Sequence, residues 1–209
     1  MTIERPNQAR ADLAAIFAGG EGRRMGGVDK GALVLGGEPL WKRVSDRLGS
    51  QANAVAVLAR TAPHWLGELG ARLIQDAPEI GGPPAGLLGA LRVLEDQNGP
   101  DALLLTAPVD SPFLPADLFA QLDAARRREN APAAIVRYAG RFQPVFGLWR
   151  AGCASAVAAA AKHERTLYAI AARAGAIQCE AWAGVAPDPF TNLNTPEDFA
   201  AAQQVSGDS

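Results

Sequence analysis

The sequence predicts a single α/β domain with a Rossmann-like, mostly parallel sheet and helices on both of its faces. Three observations lead to this fold class. Short apolar runs alternate with helical patterns along the chain, which is typical of strand–helix–strand units. The run from Ala102 to Leu105 is apolar without interruption, as in a strand that is covered on both faces. Hydrophobic residues make up 48% of the 209 residues, which is enough for one full core.

The domain is predicted to span residues 1–209, because the sequence contains no internal repeat and no linker long enough to separate two domains. The polar residues 1–12 and the tail at 205–209 are expected to be flexible.

The first half of the chain opens with a buried strand at residues 13–17, followed by a glycine-rich loop. Residues 40–48 repeat their apolar side chains at helical spacing and predict a helix. Pro84 suits the first turn of a helix over 85–94, whose N-terminus could receive an anion. The other elements predicted here are an extended piece at 32–35, strands at 54–58 and 71–74, and helical turns at 63–69.

In the second half, a helix is predicted over 115–128, with Asp117 in its first turn and Arg126 to Arg128 in its last. These charges match the helix macrodipole, so the arginine run is interpreted as a solvated helix end. Thr195 as N-cap, followed by Pro196 and Asp198, predicts the start of the last helix. The other elements are strands at 133–136, 141–149 and 176–179 and helices at 151–162 and 166–173.

The loop from Ala18 to Gly31, AGGEGRRMGGVDKG, indicates a phosphate site. Glycines let the backbone approach a ligand closely, and free N–H groups in such a loop attract anions. Arg23, Arg24 and Lys30 add positive charge. The loop lacks the G-K-[ST] ending of a P-loop, and a surface loop with many turns is the alternative interpretation.

Asp110 is the second candidate, because it follows the Ala102–Leu105 run in a loop stiffened by Pro108, Pro112 and Pro115. Ligands of open α/β sheets bind at the carboxyl ends of the strands. A carboxylate that faces a triphosphate needs a cation between them, so Asp110 is a candidate Mg²⁺ ligand. The alternative is a turn or helix-cap residue.

Composition and charge exclude several classes of protein. The formal net charge of −2, with a pI near 5.7, argues against nucleic-acid binding. Cys153 and Cys179 lack metal or redox spacing and are interpreted as buried apolar residues, while His64 and His163 are isolated. Without a signal-peptide pattern or a long apolar run, the protein is expected to be cytoplasmic, with no membrane partner.

Four blocks of the chain, taken together, resemble the molybdenum cofactor guanylyltransferases. The blocks are FAGGEGRRMGGVDKG from Phe17, GGPPAGLLGAL from Gly81, TAPVDSPFLP from Thr106 and FTNLNTPEDF from Phe190. The family's corresponding patterns are LAGG-x-x-x-RMGG-x-DK, GPLAGI, PCDTPFLP and N-x-NTPED. The resemblance covers nearly the whole chain, and its first block is the most specific.

The resemblance implies a site as well as a fold. It places GTP on Phe17, Ala18, Gly19, Gly20, Lys30, Asp76 and Asp110. It implies Lys30, Arg24 and Asp110 as catalytic residues, with Asp110 as the Mg²⁺ ligand. Asn192 and Asn194 are assigned to the molybdopterin side or to support of the metal, with an ordinary Asx loop as the alternative.

The implied reaction transfers GMP from GTP to molybdenum-bearing molybdopterin and releases pyrophosphate. Mg²⁺ is the implied cofactor. GTP and molybdenum-bearing molybdopterin are the implied partners, together with other cofactor-biosynthesis proteins and molybdoenzyme chaperones.

Three other functions stay open at this point. The first is a molybdenum cofactor cytidylyltransferase. These enzymes usually have A-A-G where this chain has Ala18-Gly19-Gly20, which argues against them. They stay open because a base-contacting Asn of better-studied members falls in the segment around Leu58, and Leu58 is not an Asn. A sugar-phosphate nucleotidyltransferase would share only the looser loop pattern. A non-catalytic nucleotide-binding partner that delivers cofactor to an apoenzyme is disfavoured by the presence of Lys30 and Asp110.

Overall fold

The computed structural model describes residues 10–19 and 29–207. In chain order the strands are β1 (Leu13–Phe17), β2 (Val34–Leu35), β3 (Glu38–Pro39), β4 (Val55–Leu58), β5 (Arg72–Ile74), β6 (Leu103–Pro108), β7 (Ala133–Tyr138), β8 (Arg141–Arg150) and β9 (Ala176–Cys179). The α-helices are α1 (Leu40–Gly49), α2 (Leu66–Leu69), α3 (Pro83–Asn98), α4 (Leu118–Arg128), α5 (Ala154–Ala161), α6 (Leu167–Arg173) and α7 (Pro196–Gly207). Short 3₁₀ helices span Lys30–Ala32 and Ala151–Cys153.

The main sheet has seven strands in the order β5-β4-β1-β6-β8-β7-β9. Strands β5, β4, β1 and β6 are parallel, and β9 is parallel to β7. Only β8 runs antiparallel to its two neighbours within this sheet. The mostly parallel sheet predicted from the sequence is therefore confirmed. The chain leaves β1 for β4 on one side and later returns to β6 on the other, which creates a switch point at the carboxyl end of β1.

Helices cover both faces of the sheet, as predicted. Successive residues of β1 point to opposite faces, and each set packs against a different group of helices. Leu13 and Phe17 pack in the cluster that includes residues of α3, α5 and α6. Ala14 and Ile16 pack with residues of α1 and α4. A small third cluster joins Leu35 and Leu40 to Leu193 and Ala202, and so fixes α7 beside the β2–β3 hairpin.

Helix α3 lies unusually close to the segment that follows β5. A Cβ atom on Gly89 would stand 2.4 Å from the carbonyl oxygen of Gln75. Only glycine permits this approach, so the second glycine of the GLLGAL stretch has a packing role. The contact fixes the backbone immediately before Asp76.

The structure corrects several sequence-based expectations. Ala11 and Asp12 fall in the segment expected to be flexible, but both are held in the fold: buried Ala11 bridges to Ala52, and the Asp12 carboxylate accepts the Leu103 N–H. At the other end, α7 continues to Gly207, beyond the predicted start of the flexible tail at residue 205.

Helix α4 also differs from its prediction. Asp117 precedes the helix rather than lying in its first turn. Arg126 is not solvated: it is 4% exposed, and its guanidinium contacts Asp123 at 2.6 Å. The helical repeat turns this one arginine of the run toward the protein, while Arg127 and Arg128 remain at the surface.

Both cysteines are buried, as interpreted from the sequence, and both are free thiols. Burial raises the pKa of the Cys153 thiol to about 11, so this thiol stays protonated at neutral pH. Within the described part of the chain, no helix combines the length and the apolar character that crossing a lipid bilayer requires.

Candidate active site

A cavity of about 760 Å³ lies at the switch point, beyond the carboxyl ends of β1, β4 and β6. Its size suits a nucleotide. The lining residues come from the glycine-rich loop, the segments after β4, β5 and β6, the start of α3 and the middle of β8: Phe17, Ala18, Gly19, Asp29, Lys30, Leu58, Ala59, Arg60, Thr61, Ala62, Pro63, Asp76, Gly82, Pro83, Gly86, Pro108, Val109, Asp110 and Val145.

The polar wall of the cavity is formed by Lys30 and Asp110, with Asn194 in contact with Lys30. Lys30 Nζ donates to Asp110 Oδ2 at 2.7 Å and to Asn194 Oδ1 at 2.5 Å. The side chains of Lys30 and Asp110 are only 19% and 14% exposed. Three segments that lie far apart in the sequence therefore meet at one ammonium group.

Asp110 is held in place by the segment that carries the two asparagines. The N–H of Leu193 donates to the carbonyl oxygen of Asp110 at 2.8 Å. Ser111 Oγ donates to Asn192 Oδ1 at 2.5 Å. Leu193 itself is fully buried, which anchors this segment in the small cluster beside the β2–β3 hairpin.

Asn194 is oriented by the first turn of α7. The Asp198 carboxylate accepts the backbone N–H groups of Asn194 and Thr195 at 3.0 and 2.9 Å. Thr195 Oγ1 accepts the Asp198 N–H at 3.1 Å, which completes the helix cap indicated by the sequence. These backbone N–H groups, and the charge of Lys30, lower the pKa of Asp198 below its usual range.

The apolar wall of the cavity is formed by Phe17, Leu58 and Gly86. Asp76 lies beside this wall and also lines the cavity. A Cβ atom on Gly86 would lie 3.2 Å from Leu58 Cβ and 3.3 Å from Asp76 Oδ1, so these groups converge closely. Burial raises the pKa of Asp76, and attraction to Arg60 partly opposes that rise.

The start of α3 provides fewer anion-binding donors than the sequence suggests. Pro83 and Pro84 have no N–H, and the Ala85 N–H donates to the carbonyl oxygen of Gly82. The interpretation of this helix start as an anion site is therefore weakened, although Gly82 and Pro83 do line the cavity.

The structure brings most of the sequence-predicted site residues into this cavity: Phe17, Ala18, Gly19, Lys30, Asp76 and Asp110. Asn194 contacts Lys30, whereas Asn192 contacts Ser111 and does not line the cavity. Leu58 ends β4 in the cavity wall. Gly20 and Arg24 lie outside the described residues.

The donor set on the polar wall is compatible with a magnesium ion. Asp110 Oδ2 and Asn194 Oδ1 already converge on one cationic nitrogen, and oxygen atoms are the ligands that Mg²⁺ prefers. Among residues 10–19 and 29–207, no cluster of three or more His, Cys, Asp or Glu side chains forms a metal site. A metal here would therefore need other oxygen ligands, such as those of substrate phosphates and water.

Sequence reasoning missed Trp65 as a partner of the lysine loop. Asp29 Oδ1 accepts the Gly31 N–H at 3.0 Å, and Asp29 Oδ2 accepts the indole N–H of Trp65 at 2.9 Å. The glycine directly after Lys30 was a usable signal, because glycine at such a position often marks a close approach. Nothing in the local pattern identified Trp65 as the residue that approaches.

Comparison with known proteins agrees with this geometry. The sequence profile of the MobA-like NTP transferase domain matches residues 14–178. A molybdenum cofactor guanylyltransferase of Cereibacter sphaeroides is 43% identical over 194 residues, which are 91% of this chain and 94% of the relative. Another from Rhodopseudomonas palustris is 37% identical over 199 residues, covering 94% and 92% of the two chains.

A solved structure shares the fold at lower sequence identity. The molybdopterin-guanine dinucleotide biosynthesis protein A of Archaeoglobus fulgidus superposes with a TM-score of 0.76 at 20% identity, covering 94% of this chain and all of the other. The profile match and the sequence identities together show that the chain belongs to the MobA-like NTP transferases and, within them, to the molybdenum cofactor guanylyltransferase family.

Proposed function

We propose that this protein transfers GMP from GTP to the terminal phosphate of molybdenum-bearing molybdopterin and releases pyrophosphate. The observation that carries the proposal is the convergence of Asp110 and Asn194 on Lys30, where Lys30 and Asp110 line a nucleotide-sized cavity. The names of the relatives support guanine as the base and a molybdenum cofactor as the product.

The chemistry requires little acid–base catalysis. An oxygen of the acceptor phosphate forms a bond to the α-phosphorus of GTP, and the bond from that phosphorus to the bridging oxygen breaks. The electron pair leaves with pyrophosphate. The acceptor oxygen is already negatively charged at neutral pH, so no strong base is needed. The described cavity lining, which includes no histidine or cysteine, agrees with this mechanism.

Lys30 would hold the phosphates and offset the negative charge that develops on the leaving group. Its present contacts with Asp110 and Asn194 keep the ammonium group at the cavity wall. Asp110 would hold Mg²⁺, with Asn194 close enough to contribute. When bound, Mg²⁺ supplies charge neutralisation between the carboxylate and the triphosphate. Arg24 would add positive charge from the glycine-rich loop.

Asp76 gives a physical reason for guanine. A carboxylate has two oxygens that accept hydrogen bonds, and guanine presents two adjacent donors, its ring N1–H and its 2-amino group. Cytosine presents only its amino group as a donor. The half-buried position of Asp76 beside Leu58 and Gly86 would make an unmatched base costly.

Nucleotide binding tests the proposal directly. Isothermal titration with GTP, CTP, ATP and UTP, each with and without Mg²⁺, should give the tightest binding for GTP with Mg²⁺. Incubation with GTP and molybdenum-bearing molybdopterin should then release pyrophosphate in proportion to dinucleotide formed. Equal or tighter binding of CTP would contradict the guanine assignment, and pyrophosphate release that is independent of the acceptor would contradict the transfer.

A further inference from the structure

Trp65 lies outside the cavity but is bonded to its edge. The residue follows the cavity-lining segment after β4 and precedes α2. Its side chain is almost fully buried, at 1% exposure, and stacks on Trp41 with a centroid distance of 5.8 Å and an interplanar angle of 6°. The stack fixes the plane of the indole ring, and therefore the direction of its N–H.

That N–H has a single described acceptor, the Oδ2 atom of Asp29, at 2.9 Å. His64 Nδ1 lies 3.4 Å from the same oxygen, but the His64 side chain is 68% exposed. A buried donor of fixed direction holds a carboxylate more firmly than a solvated imidazole does. Trp65 is therefore the partner that sets the orientation of Asp29.

Asp29 in turn shapes the turn that carries Lys30. Its other oxygen, Oδ1, accepts the Gly31 N–H at 3.0 Å and so caps the 3₁₀ helix that begins at Lys30. A carboxylate bonded at both oxygens brackets the lysine between two fixed points, Asp29 and Gly31.

The indole also packs directly on this turn. A Cβ atom at Gly31 would stand 2.7 to 2.8 Å from Trp65 ring atoms, closer than such atoms approach in proteins. The lysine turn therefore lies against the indole with no space between them. Packing and hydrogen bonding act on the same short segment.

We infer that Trp65 is a positioning residue for nucleotide transfer: through Asp29 it fixes the turn that holds Lys30 Nζ at the polar wall of the cavity. The inference rests on the proposed function in so far as it takes Lys30 to bind substrate phosphates. Because the residues just before Trp65 line the cavity, the indole also ties that wall to the lysine turn.

A double-mutant cycle on nucleotide affinity tests the inference. Trp65→Phe keeps an aromatic ring against Trp41 and removes the N–H. Titration with GTP and Mg²⁺ should show affinity weakened about fivefold in this variant. In the Lys30→Ala background the same substitution should have no further effect, because the group that Trp65 positions is gone. Guanosine, which has no phosphates, should bind the wild type and Trp65→Phe equally.

Trp182→Phe is the matched control. Trp182 is buried, at 5% exposure, and its indole N–H donates to the Asp117 carboxylate at 3.1 Å. It does not line the cavity. The control substitution removes the same kind of hydrogen bond, so it should cost similar thermal stability and leave GTP affinity unchanged.

Asp29→Asn provides a second route should Trp65→Phe fold poorly. It retains one acceptor oxygen and should weaken GTP binding in the same direction, again with no further effect when Lys30 is Ala. Unchanged GTP affinity in Trp65→Phe, or equal losses in both Lys30 backgrounds, would overturn the positioning role. If Lys30→Ala binds GTP normally, both proposals fail. If the wild type prefers CTP, only the guanine assignment fails, and the cycle measured with CTP still decides the role of Trp65.

Discussion

The polar and apolar walls of the cavity treat their carboxylates differently. On the polar wall, Asp110 contacts Lys30 directly, and Lys30 also contacts Asn194. On the apolar wall, Asp76 lies beside Leu58 and Gly86 and interacts with Arg60 only through the attraction of their charges, among the described residues. One carboxylate is neutralised by a partner, whereas the other keeps its desolvation cost.

The difference indicates what each wall is built to do. On the polar wall, the oxygens that now contact the Lys30 ammonium group could hold a metal ion instead, and Lys30 would then be free to contact a phosphate. A half-buried carboxylate with a raised pKa is poised to accept hydrogen bonds from a neutral partner of the right shape. Substitutions should therefore affect catalysis on the polar wall and base selectivity on the apolar wall.

Asp110→Ala should have the largest effect. Under the proposed function its carboxylate would hold Mg²⁺, so its loss is expected to lower kcat by about 10²- to 10³-fold while the fold survives, because a metal ligand stabilises the transition state more than the folded chain. Pyrophosphate release measured over a range of Mg²⁺ concentrations checks this. The control Asp101→Ala removes an exposed carboxylate near Arg150 and should change nothing. A near-normal rate at moderate Mg²⁺ would return Asp110 to a turn-forming role.

Lys30→Ala should raise KM for GTP and also lower kcat, with a combined loss in kcat/KM of about 10- to 100-fold. Under the proposed function, Lys30 would contact the phosphates in the ground state and would gain a further role as charge develops. Steady-state kinetics separate the two terms. Lys42→Ala, which removes an exposed lysine paired with Asp46, is the control. If KM and kcat both stayed at the wild-type values, the phosphate-loop interpretation would be wrong.

Gly89→Ala should destabilise the fold and disturb the apolar wall, because Gly89 packs against the backbone directly before Asp76. The new Cβ atom would stand 2.4 Å from the Gln75 carbonyl oxygen, so α3 or the Asp76 segment must shift. We expect about 1–3 kcal/mol of lost stability. Thermal unfolding checks this against Gly67→Ala in α2, where the Cβ would meet nothing within 4 Å. Equal stability of the two variants would mean that α3 adapts without strain.

Asp76→Asn should change selectivity more than rate. The variant keeps one acceptor oxygen, so GTP affinity should fall by about tenfold, while binding of inosine triphosphate, which lacks the 2-amino group, should change little. Comparison of the two nucleotides by titration checks this. Burial raises the pKa of Asp76, so this carboxylate is protonated at a higher pH than an ordinary aspartate when the pH is lowered. The wild-type preference for GTP should therefore begin to weaken at that higher pH. An equal loss for both nucleotides would contradict recognition of the 2-amino group.

The smallest effect concerns the helix cap that orients Asn194. The pKa of Asp198 is lowered from 3.8, so its ionised form stabilises the fold above that pH, and the contribution is lost as pH falls through the lowered value. At neutral pH, Asp198→Ala should cost about 0.5–1 kcal/mol. Thermal unfolding of both proteins from pH 7 to pH 3 should show the difference shrinking at the acid end. A difference independent of pH would exclude the charged cap.

Features encoded by short stretches of sequence were predictable. β1 and β9 have the predicted bounds, and the Thr195–Asp198 cap forms as indicated, because apolar runs and capping residues act on their immediate neighbours. Lys30 and Asp110 were identified because one closes a glycine-rich loop and the other follows a strand, and the carboxyl ends of parallel strands meet at one edge. Asp76, which also lines the cavity, was identified only through the family resemblance.

Features that depend on contacts between distant segments were not predictable. The Trp65–Asp29 hydrogen bond joins residues 36 positions apart, and neither residue type predicts contact with the other. The close approach of Gly89 depends on where α3 crosses the chain after β5. Arg126 was misjudged for a related reason, since a run of three arginines does not show which one faces the protein.

The contact between Lys30 and Asn194 also dictates an order of events during synthesis. These residues are 164 positions apart. At typical translation speeds the ribosome needs roughly 8 to 30 seconds to reach the second after making the first. During that interval the growing chain already contains Lys30 but lacks Asn194 and the Leu193 N–H that holds Asp110. A nascent chain would therefore complete its polar wall only late, after the segment that leads into α7 has left the ribosome.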